Sequence, residues 1–324
     1  MPSKQPPQRC RWTSQADALA AFVGFAGRTQ SAGHIKPLHW YVACRLVIEG
    51  GFHPEMITPR PPFAVRWSRK TSPPSLLFDA SLSGSGEQTV LGGLKTKKVD
   101  VVVTSPQLGP VLAVSCKGTG GAFRNLTNRL EETIGECTNL HIAYPALSLG
   151  FLHVLRANRA TGLTAAEIEG GDPRAEVGGG LTTNDIALAA DGSVLRPIRR
   201  YHDALREMTG RRGIRNDLSR YESIALGLVS PDPGTQGALL DSYPTHDSPL
   251  RLDSFFRTLY KQYDERFVVR APDLATVTRR LVWRDDSTGL AVPGLDYDAR
   301  RSGSEDSEDR GVEDGDQEED SPLA

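Results

Sequence analysis

The chain has 324 residues, 38% of them hydrophobic, enough for one good-sized core with an appended subdomain. No run approaches the roughly eighteen apolar residues of a membrane span, and Cys10, Cys44, Cys116 and Cys137 form no C-x-x-C pair. This excludes a disulfide framework or a thiolate zinc site and leaves small buried thiols in a reducing, cytoplasmic setting as the expectation. The formal charge of −2 is unevenly spread: ten of the 40 acids and one of the 38 bases lie in residues 302–324, leaving 37 bases against 30 acids elsewhere, a surplus that suits a polyanionic partner.

Residues 1–14, proline-rich and without an apolar leader, are expected to be disordered. Helical periodicity follows over Gln15–Gly27 and Pro37–Glu49, the second stopped by Gly50–Gly51. A proline-punctuated loop leads to strand-like runs at Phe63–Trp67 and Ser75–Ala80, then the loop SLSGSGEQ. Val99–Thr104 and Val111–Lys117 read as two strands, and the short turn SPQLGP between them favours an antiparallel hairpin. After Gly118–Gly121 a helix is expected over Asn125–Leu140, with Leu126, Leu130, Ile134, Cys137 and Leu140 in one apolar stripe. Leu149–Leu155 reads as a buried strand and 161–183 as a surface excursion. Amphipathic helices are expected over Arg199–Met208, in an arginine-rich stretch, and over Leu252–Phe267. This gives one domain over 15–284, with a core at about 60–160, a basic helical region at about 184–270 and a disordered acidic tail at 285–324.

Strand alternation sends Leu112, Val114 and Cys116 to one face and Ala113, Ser115 and Lys117 to the other. On the preceding strand Asp100 interrupts a run of valines, and a carboxylate there is expensive to bury unless a cation or donors receive it. Paired strands let Asp100 and Lys117 meet at the splayed end of the hairpin. His34, His39 and His53 match no zinc spacing and read as structural or exposed. Gly118-Thr-Gly-Gly121 lacks the G-K-[ST] ending of a phosphate loop and reads as slack before the helix.

An acid on one strand, x-x-K on the next and a helix after it resemble the PD-(D/E)-x-K nuclease superfamily. Ser115 stands where a second acid is usual. The resemblance is therefore to the type II restriction endonucleases that cut CCGG-centred sites. These carry S-x-K on the strand and move the missing carboxylate onto the next helix, a spacing that Glu131, fourteen residues after Lys117, matches, with Glu132 as the alternative. The R-x-D-R cluster of that subgroup is not kept, since Gly121-Ala-Phe-Arg124 occupies its place. The resemblance implies an α/β fold with an αβββαβ core, a mixed central sheet flanked by helices, and extra helices. It implies Mg²⁺ held by Asp100 and Glu131, catalysis by Asp100, Ser115, Lys117 and Glu131, and a homodimer on double-stranded DNA. Arg124, Arg129, Arg199 and Arg200 are the expected DNA contacts.

Overall fold

The computed structural model describes residues 8–25, 33–68 and 73–302. It is a mixed α/β molecule around a five-stranded sheet. The strands are β1 (Ile57–Thr58), β2 (Val101–Ser105), β3 (Gly109–Thr119), β4 (Ser148–Arg156) and β5 (Ser223–Val229), and they lie side by side in that order. β1, β2 and β3 are antiparallel neighbours, whereas β3, β4 and β5 run parallel. The parallel strands are covered on both faces, which is why they are continuous apolar runs without alternation.

Helices α1 (Gln15–Val23), α2 (Lys36–Ile48) and α5 (Leu252–Asp264) cover one face. α3 (Leu126–Ala143), the crossover from β3 to β4, and α4 (Arg196–Glu207) cover the other. The alternation along β3 holds: Leu112, Val114 and Cys116 pack towards α1, α2 and α5, and Ala113 towards α3 and α4. The order α2-β1-β2-β3-α3-β4 places one helix before the antiparallel strands and one between the parallel ones.

Several expectations shift. Val99–Thr104 is not one strand: Lys97–Val99 pairs with Gln88–Val90 in a separate ribbon, and the chain breaks at Asp100 before β2. On α3, Ile134 is 37% exposed, and Thr133 and Glu136 take the buried positions beside Cys137 and Leu140. The helix is rotated relative to the apolar stripe because a carboxylate with an ion-pair partner can be buried where a simple periodicity would forbid it. β5 was not anticipated, although Ser223-Ile-Ala-Leu-Gly-Leu-Val229 is an apolar run of strand length.

The chain also stays ordered past Asp285. Trp283 is fully buried and its indole N–H donates to the Val47 carbonyl at 2.9 Å, while the Arg300 N–H donates to the Ile48 carbonyl at 3.0 Å. Residues 285–302 are thereby fastened along α2 despite their polar composition. At the other end Cys10 is buried and its N–H donates to the Gly84 carbonyl, so the expected disorder of residues 1–14 does not extend over 8–14. Residues 1–7 and the acidic stretch from 303 lie outside the described residues. The four cysteines are buried free thiols, as composition suggested. Among the described residues no helix is long and apolar enough to cross a membrane.

Candidate active site

Asp100 stands where the chain changes partners, between the Lys97–Val99 ribbon and β2, and it is only 8% exposed. Its Oδ2 accepts the Cys116 backbone N–H at 2.8 Å, the Lys117 Nζ at 3.0 Å and the Ser115 hydroxyl at 3.3 Å. Its Oδ1 faces His39 Nε2 at 3.9 Å. Three donors on one oxygen compensate the desolvation that an isolated buried carboxylate would suffer. Burial pushes the Asp100 carboxyl up, but Lys117, His39 and the Cys116 N–H outweigh it and hold the group below the ordinary carboxylate value. Burial likewise works against the Lys117 ammonium, and the charges of Asp100 and Glu136 reverse this and lift it above the ordinary lysine value. Ser115, fully buried, donates to Asp100 and so fixes the carboxylate rather than reaching solvent.

His39, Glu87 and Asp100 each offer one ligand atom, all within 4.8 Å of one another. The ribbon explains Glu87. Gln88 faces Val99, so continuing the antiparallel register by one residue sets Glu87 across from Asp100. α3 clamps this ribbon: Glu136 pairs with Lys97 at 2.8 Å, and the Asn139 side chain accepts the Leu94 and Lys95 N–H groups at 2.8 and 3.1 Å. His39 comes from α2 on the opposite face. Burial lowers its pKa below the ordinary value and the Asp100 charge opposes the shift only in part. Its Nε2 has no hydrogen-bond partner among the described residues. His39, expected from its spacing to be structural or exposed, is buried and lies on the wall of the main cleft.

That cleft, about 960 Å³, is lined by Asp100, Lys117, Arg129, Glu132 and Arg156 together with the backbone of Gly118–Gly121. The loop is held from outside. Asp185 accepts the Ala122 N–H at 2.8 Å, and the Asn158 side chain donates to the Gly120 carbonyl at 2.9 Å. A Cβ at Gly118 would lie 2.7 Å from the Phe22 ring, and one at Gly121 would lie 2.4 Å from the Asp185 carboxylate, so either substitution would force the neighbouring side chain to move.

The expected site residues divide. Asp100, Ser115 and Lys117 come together. Glu131 is exposed on α3 and is not among the residues lining the cleft, whereas Glu132 lines it and is tied to Arg129. Arg124 and Arg200 border a second cavity of about 360 Å³ beside the first. Arg199 pairs with Glu169 and donates to the Val194 carbonyl. Arg211, counted in the basic stretch, is buried against Glu222 and is not available to a polyanion. A Glu87→Gln variant is therefore expected to bind divalent cations roughly 10–100-fold more weakly, and Glu131→Gln to bind them as the unaltered chain does. Calorimetric titration checks this, and the reverse ranking would move the site onto α3.

Behind the cleft wall runs a buried chain of hydrogen bonds. Thr119 Oγ1 and His153 Nε2 are 2.9 Å apart, and His153 Nδ1 and the Tyr201 hydroxyl 2.8 Å. Burial, with Arg129 and Lys117 adding to it, pushes the His153 imidazole down to about 3. The unfolded chain binds that proton near pH 6.5, so this contribution to stability is present above 6.5 and is lost as pH falls from there towards 3. Lowering pH from 7 to 5 should cost about 2 kcal/mol through this group. Urea midpoints of the wild type and His153→Gln test it: equal pH slopes would remove His153 as the cause.

No protein-family model, curated protein or solved structure matches this chain. Two of the three candidate metal ligands, His39 and Glu87, are not marked as ligands by the sequence. Gln88-Thr-Val90 and Lys97-Lys-Val99 flanking Gly92–Gly93 do carry a ribbon signal, and that signal would have brought Glu87 to Asp100. His39 sits in a helix buried along nearly its whole length, so no amphipathic pattern marks the face it presents.

Proposed function

We propose that this chain is a metal-dependent endonuclease hydrolysing phosphodiester bonds in double-stranded DNA, of the PD-(D/E)-x-K type and of the restriction class. One observation carries the reading: Asp100, in the break just before β2, and Lys117, on the neighbouring antiparallel β3, meet at 3.0 Å on the wall of a wide cleft, with His39 and Glu87 beside the carboxylate. Counting only the strands of the five-stranded sheet, the order α2-β1-β2-β3-α3-β4 supports it, because it matches the αβββαβ core; the four short strands between β1 and β2 form separate ribbons. The surplus of positive charge outside the acidic end supports a polyanionic substrate.

The residues fit a divalent cation: Asp100 Oδ1 points away from the three donors on Oδ2, and the buried His39 Nε2 has no hydrogen-bond partner among the described residues. Asp100, Glu87 and His39 would hold the ion. When bound, such an ion acidifies water and offsets charge on a phosphate. Lys117 spends one of its N–H donors on Asp100 and has two more to turn towards a phosphate oxygen or an attacking water. Ser115 and the Cys116 N–H keep the carboxylate from rotating, so the ligand oxygen is oriented before substrate arrives. Arg129 and Arg156 line the same cleft and suit backbone phosphates. A homodimer reading a palindromic site belongs to the same proposal.

Incubating the purified chain with unmethylated phage DNA and a divalent cation, then sequencing the fragment ends, tests the proposal. Cuts at one short palindrome support it. Cuts without a shared site would place the chain among repair or defence nucleases, and metal-independent binding without cutting would leave only a DNA-binding module.

A further inference from the structure

The centre at Asp100 is not built from oxygen donors alone, and that bears on which ion it takes. We infer that His39 makes this a site for a first-row transition cation of the Mn²⁺ kind, bound more tightly than Mg²⁺; the inference rests on the metal-dependent reading above and names the ion for it.

Three observations carry it. His39 is 4% exposed, and its Nε2 is buried without a hydrogen bond among the described residues. A polar atom left so is costly unless something receives its lone pair or proton. Asp100 Oδ1 lies 3.9 Å away, too far for a hydrogen bond and close enough for both atoms to face one ion. Asp100 has meanwhile committed its other oxygen to Ser115, Cys116 and Lys117, leaving Oδ1 turned to the imidazole. The donor set is then one imidazole nitrogen with two carboxylates, from His39, Asp100 and Glu87.

Mg²⁺ demands near-ideal octahedral oxygen coordination and dehydrates reluctantly, so a nitrogen at this position gains it little. Imidazole is a ligand for first-row transition ions, and of these Mn²⁺ is the one that carboxylates also suit. A histidine placed only to pair with Asp100 as an imidazolium would make the opposite forecast, because it would repel any cation. Glu87, itself exposed, brings a second carboxylate oxygen within 4.8 Å of the other two ligand atoms and completes a three-point donor set.

The test is direct cation binding to the full-length chain, without DNA, by calorimetry and by pulsed electron paramagnetic resonance of bound Mn²⁺. The wild type is expected to prefer Mn²⁺ over Mg²⁺ by about tenfold or more and to show nitrogen modulation from a directly bound imidazole. His39→Gln should lose that modulation and most of the preference while its Mg²⁺ affinity changes little. Thermal unfolding confirms that the variant is folded, and His39→Asn serves if it is not. Equal affinities for the two ions, both abolished by Asp100→Asn, would overturn this inference and leave the metal-dependent hydrolase standing. Binding of neither ion would overturn both, and tight Mn²⁺ binding without nitrogen modulation would remove His39 as a ligand.

Discussion

Lys117→Ala is expected to lower DNA cleavage by roughly 10²–10⁴-fold while duplex affinity stays close to that of the wild type. The range is that of a single positioned proton-transfer or charge-stabilising group. Lys117 contributes one positive charge among several on the cleft, so losing it removes little of the phosphate attraction. The substitution also strips Asp100 of its nearest cation. The carboxylate keeps the Cys116 N–H and the Ser115 hydroxyl, so folding should survive, although the Asp100 carboxyl should titrate higher than it does now. Cleavage under saturating metal and gel-shift affinity, measured on the same preparation, check both halves. Undiminished turnover would remove Lys117 from the chemistry, and a parallel fall in affinity would make it a binding residue. Lys117→Arg should rescue little, because the planar guanidinium cannot present an ammonium's donors from the same point.

The second large effect is on stability. Glu222, 1% exposed at the start of β5, receives Arg211 at 2.8 Å, Arg266 at 2.6 Å and the Leu149 N–H at 2.7 Å, with His141 Nε2 at 3.4 Å. Burial would push this carboxyl up; His141 and Arg266 outweigh it, and the group stays charged. The two arginines also donate to backbone carbonyls, Arg211 to Pro145 and Ile214 and Arg266 to Leu147, so the cluster pins the two connections that lead into β4 and β5. Glu222→Gln keeps the shape and removes the charge, leaving two buried guanidiniums uncompensated. Breaking such a pair from one side typically costs about 3–5 kcal/mol, a large share of the roughly 5–15 kcal/mol that holds a domain folded. Urea unfolding checks it, and a loss below about 1 kcal/mol would show that the arginines find other partners.

The sequence exposed some of this architecture and concealed the rest for identifiable reasons. The β2–β3 hairpin, α3 and β4 were legible because their apolar runs are long and their turns short. Asp100 was legible as an acid among valines, and Lys117 followed from strand alternation. Glu87 was hidden because its partner is set by the pairing of two three-residue strands, a signal weaker than the loop residues around it. His39 was hidden because α2 is buried almost throughout. Glu222, Arg211 and Arg266 carry no mark of burial in the sequence, since residue type alone cannot reveal that they neutralise one another inside the core. The ordered stretch at 285–302 looked like tail because its anchors, Trp283 and Leu290, are few and far apart in sequence.

The ribbon between Gln88 and Val99 has one more implication. Glu87 meets Asp100 only because Gln88 faces Val99, and the turn at 91–96 that sets this alignment is gripped by Asn139, on a helix that supplies none of the three candidate ligands. A slip of a single residue would seat Gln88 or Gly86 opposite Asp100 and replace a carboxylate with an amide or with nothing. The ligand count of the centre is thus written in the length of a distant turn. An insertion there would carry Glu87 away from Asp100 without altering any of the three candidate ligands themselves.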